Sequence, residues 1–236
     1  MKSNKTVVEF IFNPNIPFLK ERYDRIKEET GKYLVTPLKV IALMVAISGI
    51  FAMIFEVRHY SEFTVEIYLV RLIATLIAFL ILVFLNSDKA IKYTIPLVHI
   101  LLLTIIGSTG IMILLIPTSL IVNSQIVGLM IFTSAMFLNW EIKNQILVAI
   151  YYNIVFAVAI LFNDQKIYFL PNMFESLIFV LFLSLLSVVG SAINFRMRLE
   201  VAQNALRVEQ SEKKFRSIFD NSSDGIFQST PEGDFI

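Results

Sequence analysis

The sequence predicts an all-α membrane protein built around a bundle of six transmembrane helices. Hydrophobic residues occupy 56% of its 236 positions, against roughly 45–50% in ordinary soluble domains. Six apolar runs reach about the 20 residues that a helix needs to cross the hydrocarbon core of a bilayer. The period-2 alternation of barrel strands is missing, so helices are expected, because a helix satisfies its own backbone hydrogen bonds in lipid.

The predicted spans are the runs of mainly apolar residues between charged or turn-forming segments. They are Leu38–Phe55, Ile67–Leu85, Thr94–Ile116, Thr118–Trp140, Gln145–Phe162 and Asn172–Phe195. Pro117 separates the third run from the fourth, and Asn123–Gln125 offers an alternative turn. The competing interpretation merges these two runs into one long segment.

The basic residues predict that both termini are cytoplasmic. In that orientation 17 of the 20 Lys and Arg fall in cytoplasmic segments, and only Arg58 and Lys166 fall in outer loops. We therefore expect a multi-pass protein of the cell's inner (cytoplasmic) membrane, with the lipid bilayer as a partner. Four aromatic residues near span ends are expected to be interfacial anchors. They are Tyr68, Tyr93, Trp140 and Tyr168.

Residues 1–36 precede the first span and are rich in Lys and Arg. Leu19, Tyr23, Ile26 and Tyr33 share one helical face, which predicts an interfacial helix on an anionic leaflet. The alternative is a solvated basic segment that only sets the topology.

Residues 196–218 follow the bundle (37–195) and predict a polar helix without Gly or Pro. Glu209 with Lys213 and Glu212 with Arg216 have the i, i+4 spacing of helical ion pairs. Apolar residues at 4-3 spacing predict a short coiled-coil seam and a homodimer, whereas a monomeric amphipathic helix is the alternative. The seam residues are Val201, Ala205, Val208 and Phe215, with Phe219 next in the repeat.

The last 26 residues resemble the beginning of a PAS sensor domain. The resemblance rests on the charged helix at 211–214, Phe215-Arg216, Ile218-Phe219-Asp220 and Gly225-Ile226. Pro231–Gly233 then has turn chemistry between two short apolar runs, as in the first PAS hairpin. The resemblance implies an α/β domain that starts at 219–236 and continues in a larger receptor, with no cofactor evident in this chain.

Polar residues inside the spans are candidates for ligand binding, because they are costly in lipid. Arg71 and Glu175 are expected near the outer face, where the two could pair, or where Arg71 could extend to the headgroups. His99, Tyr152 and Asn153 are expected in the cytoplasmic half. Ser184, Ser187 and Ser191 form a small-residue face that favours close helix packing and a signalling role for the last span.

Several chemistries find no support in the sequence. Cysteine is absent, and the two histidines, His59 and His99, belong to opposite ends of the bundle, so neither a thiol nor a bis-histidine metal site is expected. No catalytic constellation appears, and a net charge of +1 does not suggest a nucleic-acid partner.

The expected function is that of a sensory receptor's membrane input module, which responds to a small-molecule stimulus. The resemblance to PAS receptors implies an output beyond residue 236, a histidine kinase of a two-component system first, and a diguanylate, adenylate or guanylate cyclase next. The alternatives are a transporter or channel with a regulatory tail, and a passive membrane anchor. Pro96 and Pro117 lie near span ends rather than mid-span, which weighs against a transporter with broken helices.

Overall fold

The computed structural model describes residues 17–87, 89–138, 140–163 and 173–220, with side chains from residue 31 onward except 199, 202, 203 and 206. Within these ranges the regular structure is helical. Two short 3-10 turns, Ser61–Phe63 and Pro117–Ser119, join α-helices. The α-helices are α1 (Pro17–His59), α2 (Thr64–Phe84), α3 (Ala90–Leu115), α4 (Leu120–Phe137), α5 (Ile142–Leu161) and α6 (Met173–Asp220).

Six helices are long and apolar enough to cross a membrane, as the sequence predicted. The candidate spans are Gly31–His59, Ser61–Phe84, Ala90–Leu115, Pro117–Phe137, Ile142–Leu161 and Met173–Arg198. Their outer surfaces are apolar. On α2, Leu69, Leu72 and Leu76 are each more than half exposed, whereas Ala74 and Ala78 face the other helices. Such an outward apolar face is what lipid requires and water disfavours.

The helical structure is interrupted between the third and fourth spans, at Ile116–Ser119. Ile116 leaves helical geometry, with φ −130° and ψ 82°, and Pro117 begins the 3-10 turn. A proline has no amide hydrogen, and it disfavours helical geometry in the residue before it. The alternative turn and the merged segment are therefore both wrong, and Asn123–Gln125 lies inside α4.

The first helix joins part of the basic N-terminal segment to the first span. Helix α1 runs from Pro17 to His59 and continues through Pro37. Residues 17–36 are therefore continuous with the helix that contains the first candidate span, Gly31–His59, and the interfacial position of this segment stays a prediction. Tyr33 is exposed, whereas residues 1–16 and the side chains of Leu19, Tyr23 and Ile26 lie outside the described part.

The chain divides into two units, Met1–Phe195 and Arg196–Ile236. In the second unit the described residues 196–220 are helical. Two predicted ion pairs are confirmed there, Glu209–Lys213 at 2.9 Å and Glu212–Arg216 at 2.7 Å. The residues of the predicted PAS hairpin, 221–236, lie outside the described ranges.

Candidate functional site

The first polar cluster is an ion pair at the end of the bundle where α1 ends and α2 begins, here called the Glu56 end. Arg71 of α2 is only 9% exposed. Its Nε donates to Glu56 Oε2 at 2.8 Å, and a second guanidinium nitrogen donates to the other carboxylate oxygen. The third donates to Ser108 Oγ of α3 at 3.4 Å. The two-point contact matches the planar guanidinium to the carboxylate and joins three helices.

Arg71 therefore has a partner that the sequence analysis missed. Glu175, the partner considered there, is exposed at the beginning of α6. The second helix begins at Thr64, about 10 Å along the axis from Arg71, so the guanidinium lies deeper than the predicted start at Ile67 implied. Glu56 is the residue next to the predicted end of the first span. A search for carboxylates within one turn of each span end would have found it.

The second cluster centres on Gln145 at the opposite end of the bundle, here called the Trp140 end. Gln145 is fully buried at the beginning of α5. Its amide nitrogen donates to Ser134 Oγ of α4 at 3.0 Å and to Ser187 Oγ of α6 at 3.2 Å. Its amide oxygen accepts from Trp140 Nε1 at 3.1 Å. One side chain thus joins α4, α5, α6 and the connection before α5.

Trp140 extends the cluster to α3. It was predicted to be an interfacial anchor, but it is 1% exposed, because its indole nitrogen is bonded inside the bundle. Its ring stacks on His99, with centroids 5.0 Å apart, and His99 meets the edge of Tyr151 at 6.1 Å. Tyr151 also contacts Tyr152. Tyr68 and Tyr93 are partly exposed at span ends, as anchors should be, whereas Tyr168 lies outside the described residues.

Two tyrosine hydroxyls, those of Tyr151 and Tyr152, have no hydrogen-bond partner among the described residues. Tyr152 is fully buried, and Tyr151 is half-buried. Buried polar groups are ordinarily bonded to protein or water, so these two hydroxyls could bond a small polar ligand or a water.

The last span is bonded to the bundle through the serines singled out in the sequence. Asn153 of α5 donates to Ser184 Oγ at 2.7 Å, and Ser187 accepts from Gln145. Ser191 is 2% exposed. The serines therefore pack inside their own chain, against α5, and their signalling role stays a prediction.

The two clusters differ in chemistry. The charges of Glu56 and Arg71 neutralise each other, whereas the second cluster is a continuous contact path of His99, Trp140, Gln145 and Ser187 that contains no carboxylate. The described residues contain no group of three or more metal-ligating side chains. No family model matches the chain, and neither a curated protein nor a solved structure matches it significantly.

Proposed function

We propose that the chain is the membrane input module of a sensory receptor. The observation that carries the proposal is that α6 contacts the bundle and continues as the polar helix after it. Ser184 and Ser187 are bonded to α5, and the same helix extends to Asp220, within the PAS-like residues 211–236. A rearrangement around Tyr152, Asn153 or His99 would alter the position of α6, and α6 would pass the change on.

The output is inferred from the PAS resemblance alone. A histidine kinase comes first and a nucleotide cyclase next, both beyond residue 236, and residues 1–236 catalyse neither reaction. The proposed stimulus is a small molecule, because the unpartnered hydroxyls of Tyr151 and Tyr152 offer polar contacts inside an apolar wall.

In this proposal both termini are cytoplasmic and the membrane is the inner one. We expect tags fused at Met1 and at Ile236 to be shielded from protease added to intact cells, because 17 of the 20 basic residues then lie inside. A tag in the outer loop at Ser61 is the control that should be cleaved. Cleavage of either terminal tag in sealed cells would reverse the assignment.

We further propose that the receptor is a homodimer through the seam of residues 201–215. Val201, Val208 and Phe215 are each at least 65% exposed, so they remain available to a second copy. Single cysteines at Val201, Ala205 and Val208, in a naturally cysteine-free chain, should cross-link several-fold faster than a cysteine at Arg207. Equal rates at all positions would contradict the dimeric seam.

The same cysteines test whether the bundle controls the seam. We expect the double substitution Ser184→Ala/Ser187→Ala to change the relative cross-linking rates along the seam, because it removes two contacts between α6 and α5. Leu185→Ala is the control, since Leu185 is 61% exposed on the same helix. An unchanged pattern would favour the passive anchor. Solute flux through liposomes containing the chain would favour the transporter.

A further inference from the structure

A cleft of about 370 Å³ opens at the Trp140 end, between α1 and the connection from α2 to α3. It is lined by one face of α1 and by the residues around that connection. The polar residues of the lining are Lys32, Thr36, Lys39, Asn86 and Ser87. None of them carries a negative charge. Asp88, the next residue in the sequence, lies outside the described residues.

The helix geometry brings the two lysines to one side. Lys32, Thr36 and Lys39 are spaced at i, i+4 and i+7, so they share a face of α1. Gly31, the residue before Lys32, lets α1 approach α3, because a Cβ added there would lie only 2.7 Å from the backbone oxygen of Ile91. The close approach places the lysines beside the first turn of α3, since Ala90 and Ile91 line the same cleft.

The lysines have no acidic partner among the described residues. Lys39 Nζ donates to the neutral amide oxygen of Asn86 at 2.8 Å, and Lys32 is exposed. By contrast, Lys143 at the same end is paired with Glu141 at 2.6 Å. Among the described residues, two cations and the neutral donors of Thr36, Asn86 and Ser87 thus surround one cleft that has no carboxylate in its lining, so the cleft suits an anion.

We propose that this cleft binds the phosphate of an anionic phospholipid headgroup. Lipid headgroups and soluble compounds both carry phosphate esters. The depth of the cleft favours the lipid headgroup. Leu85 and Ala90 in its lining lie within one residue of the ends of two candidate spans, which is where headgroups lie. Basic pockets between helices at this depth are suited to anionic headgroups.

The test is native mass spectrometry of the whole chain in detergent, titrated with phosphatidylglycerol. We expect Lys32→Gln/Lys39→Gln to weaken binding about 30-fold, since each lysine near the surface accounts for about a fivefold change in affinity. Lys32→Arg/Lys39→Arg is the charge-conserving control. It should retain most of the affinity, because both positive charges remain. Phosphatidylcholine should bind the wild-type chain weakly and without dependence on the lysines.

The matched control is Lys92→Gln/Lys143→Gln, which removes the same charge at the same end of the bundle but outside the cleft. This double substitution should weaken phosphatidylglycerol binding by less than about threefold, since neither lysine lines the cleft that holds the headgroup. Equal losses in the two double variants would overturn the site in favour of non-specific attraction. Competition by soluble glycerol phosphate, with the same dependence on Lys32 and Lys39, would overturn the lipid source.

Discussion

Replacing Glu56 with leucine is expected to lower the free energy of unfolding by about 3 kcal/mol, and replacing Arg71 with leucine by somewhat less. Each change leaves the other charge nearly buried without its partner, since the side chains of Arg71 and Glu56 are only 11% and 19% exposed. The effects differ because a carboxyl group left alone can take up a proton and become neutral, whereas a guanidinium stays charged.

The double substitution Glu56→Leu/Arg71→Leu should recover most of the loss. Removing both charges also removes the cost of burying them, and a leucine pair suits the apolar surroundings. Ser108 remains satisfied, because its hydroxyl already donates to the carbonyl of Ile105 at 2.9 Å. The double variant is therefore expected to lie within about 1 kcal/mol of the wild type.

The measurement is unfolding in bicelles by added SDS, followed by the fluorescence of Trp140, the single tryptophan. Glu66→Leu is the matched control, because Glu66 is an exposed carboxylate at the same end of the bundle and should change stability by less than about 0.5 kcal/mol. Additive losses from Glu56→Leu and Arg71→Leu would show that the two side chains do not interact.

Replacing Gln145 with leucine is expected to lower the free energy of unfolding by about 2 kcal/mol. The substitution leaves Trp140 Nε1 buried without an acceptor, and it removes the amide that reaches Ser134 and Ser187. The two serines lose less, since Ser134 also donates to Ile131 O and Ser187 to Ser184 O. The unpaired indole therefore dominates the loss.

Two further substitutions in the same chain test whether the unpaired indole causes the loss. Gln125→Leu is the matched control, because Gln125 is exposed on α4 and should change stability by less than about 0.5 kcal/mol. Adding Trp140→Phe to Gln145→Leu should restore part of the loss, since phenylalanine has no donor to leave unpaired. All of these variants are followed by hydrogen exchange or circular dichroism, because the double variant lacks Trp140. No recovery in the double variant would show that the indole bond is not the cause.

The sequence alone determined the number of spans and the break at Pro117. Both features follow from local sequence. The thickness of the bilayer sets how long an apolar run must be, and a proline restricts the backbone conformation of the residue before it wherever it occurs. The i, i+4 pairs of residues 209–216 followed for the same reason, since helical geometry fixes which side chains meet. Each of these features depends only on residues close together along the chain.

The tertiary structure decided which polar side chains meet. Depth can be read from the rise per residue, so the sequence assigned Arg71 and Glu175 to one end and Asn153 to the other. It could not tell which helices are neighbours or how each is rotated about its axis. Packing therefore placed Arg71 beside Glu56 rather than Glu175, and it turned Trp140 inward to Gln145. Serines 184 and 187 were likewise placed against α5, because close packing of α5 and α6 gives their hydroxyls partners that lipid cannot supply.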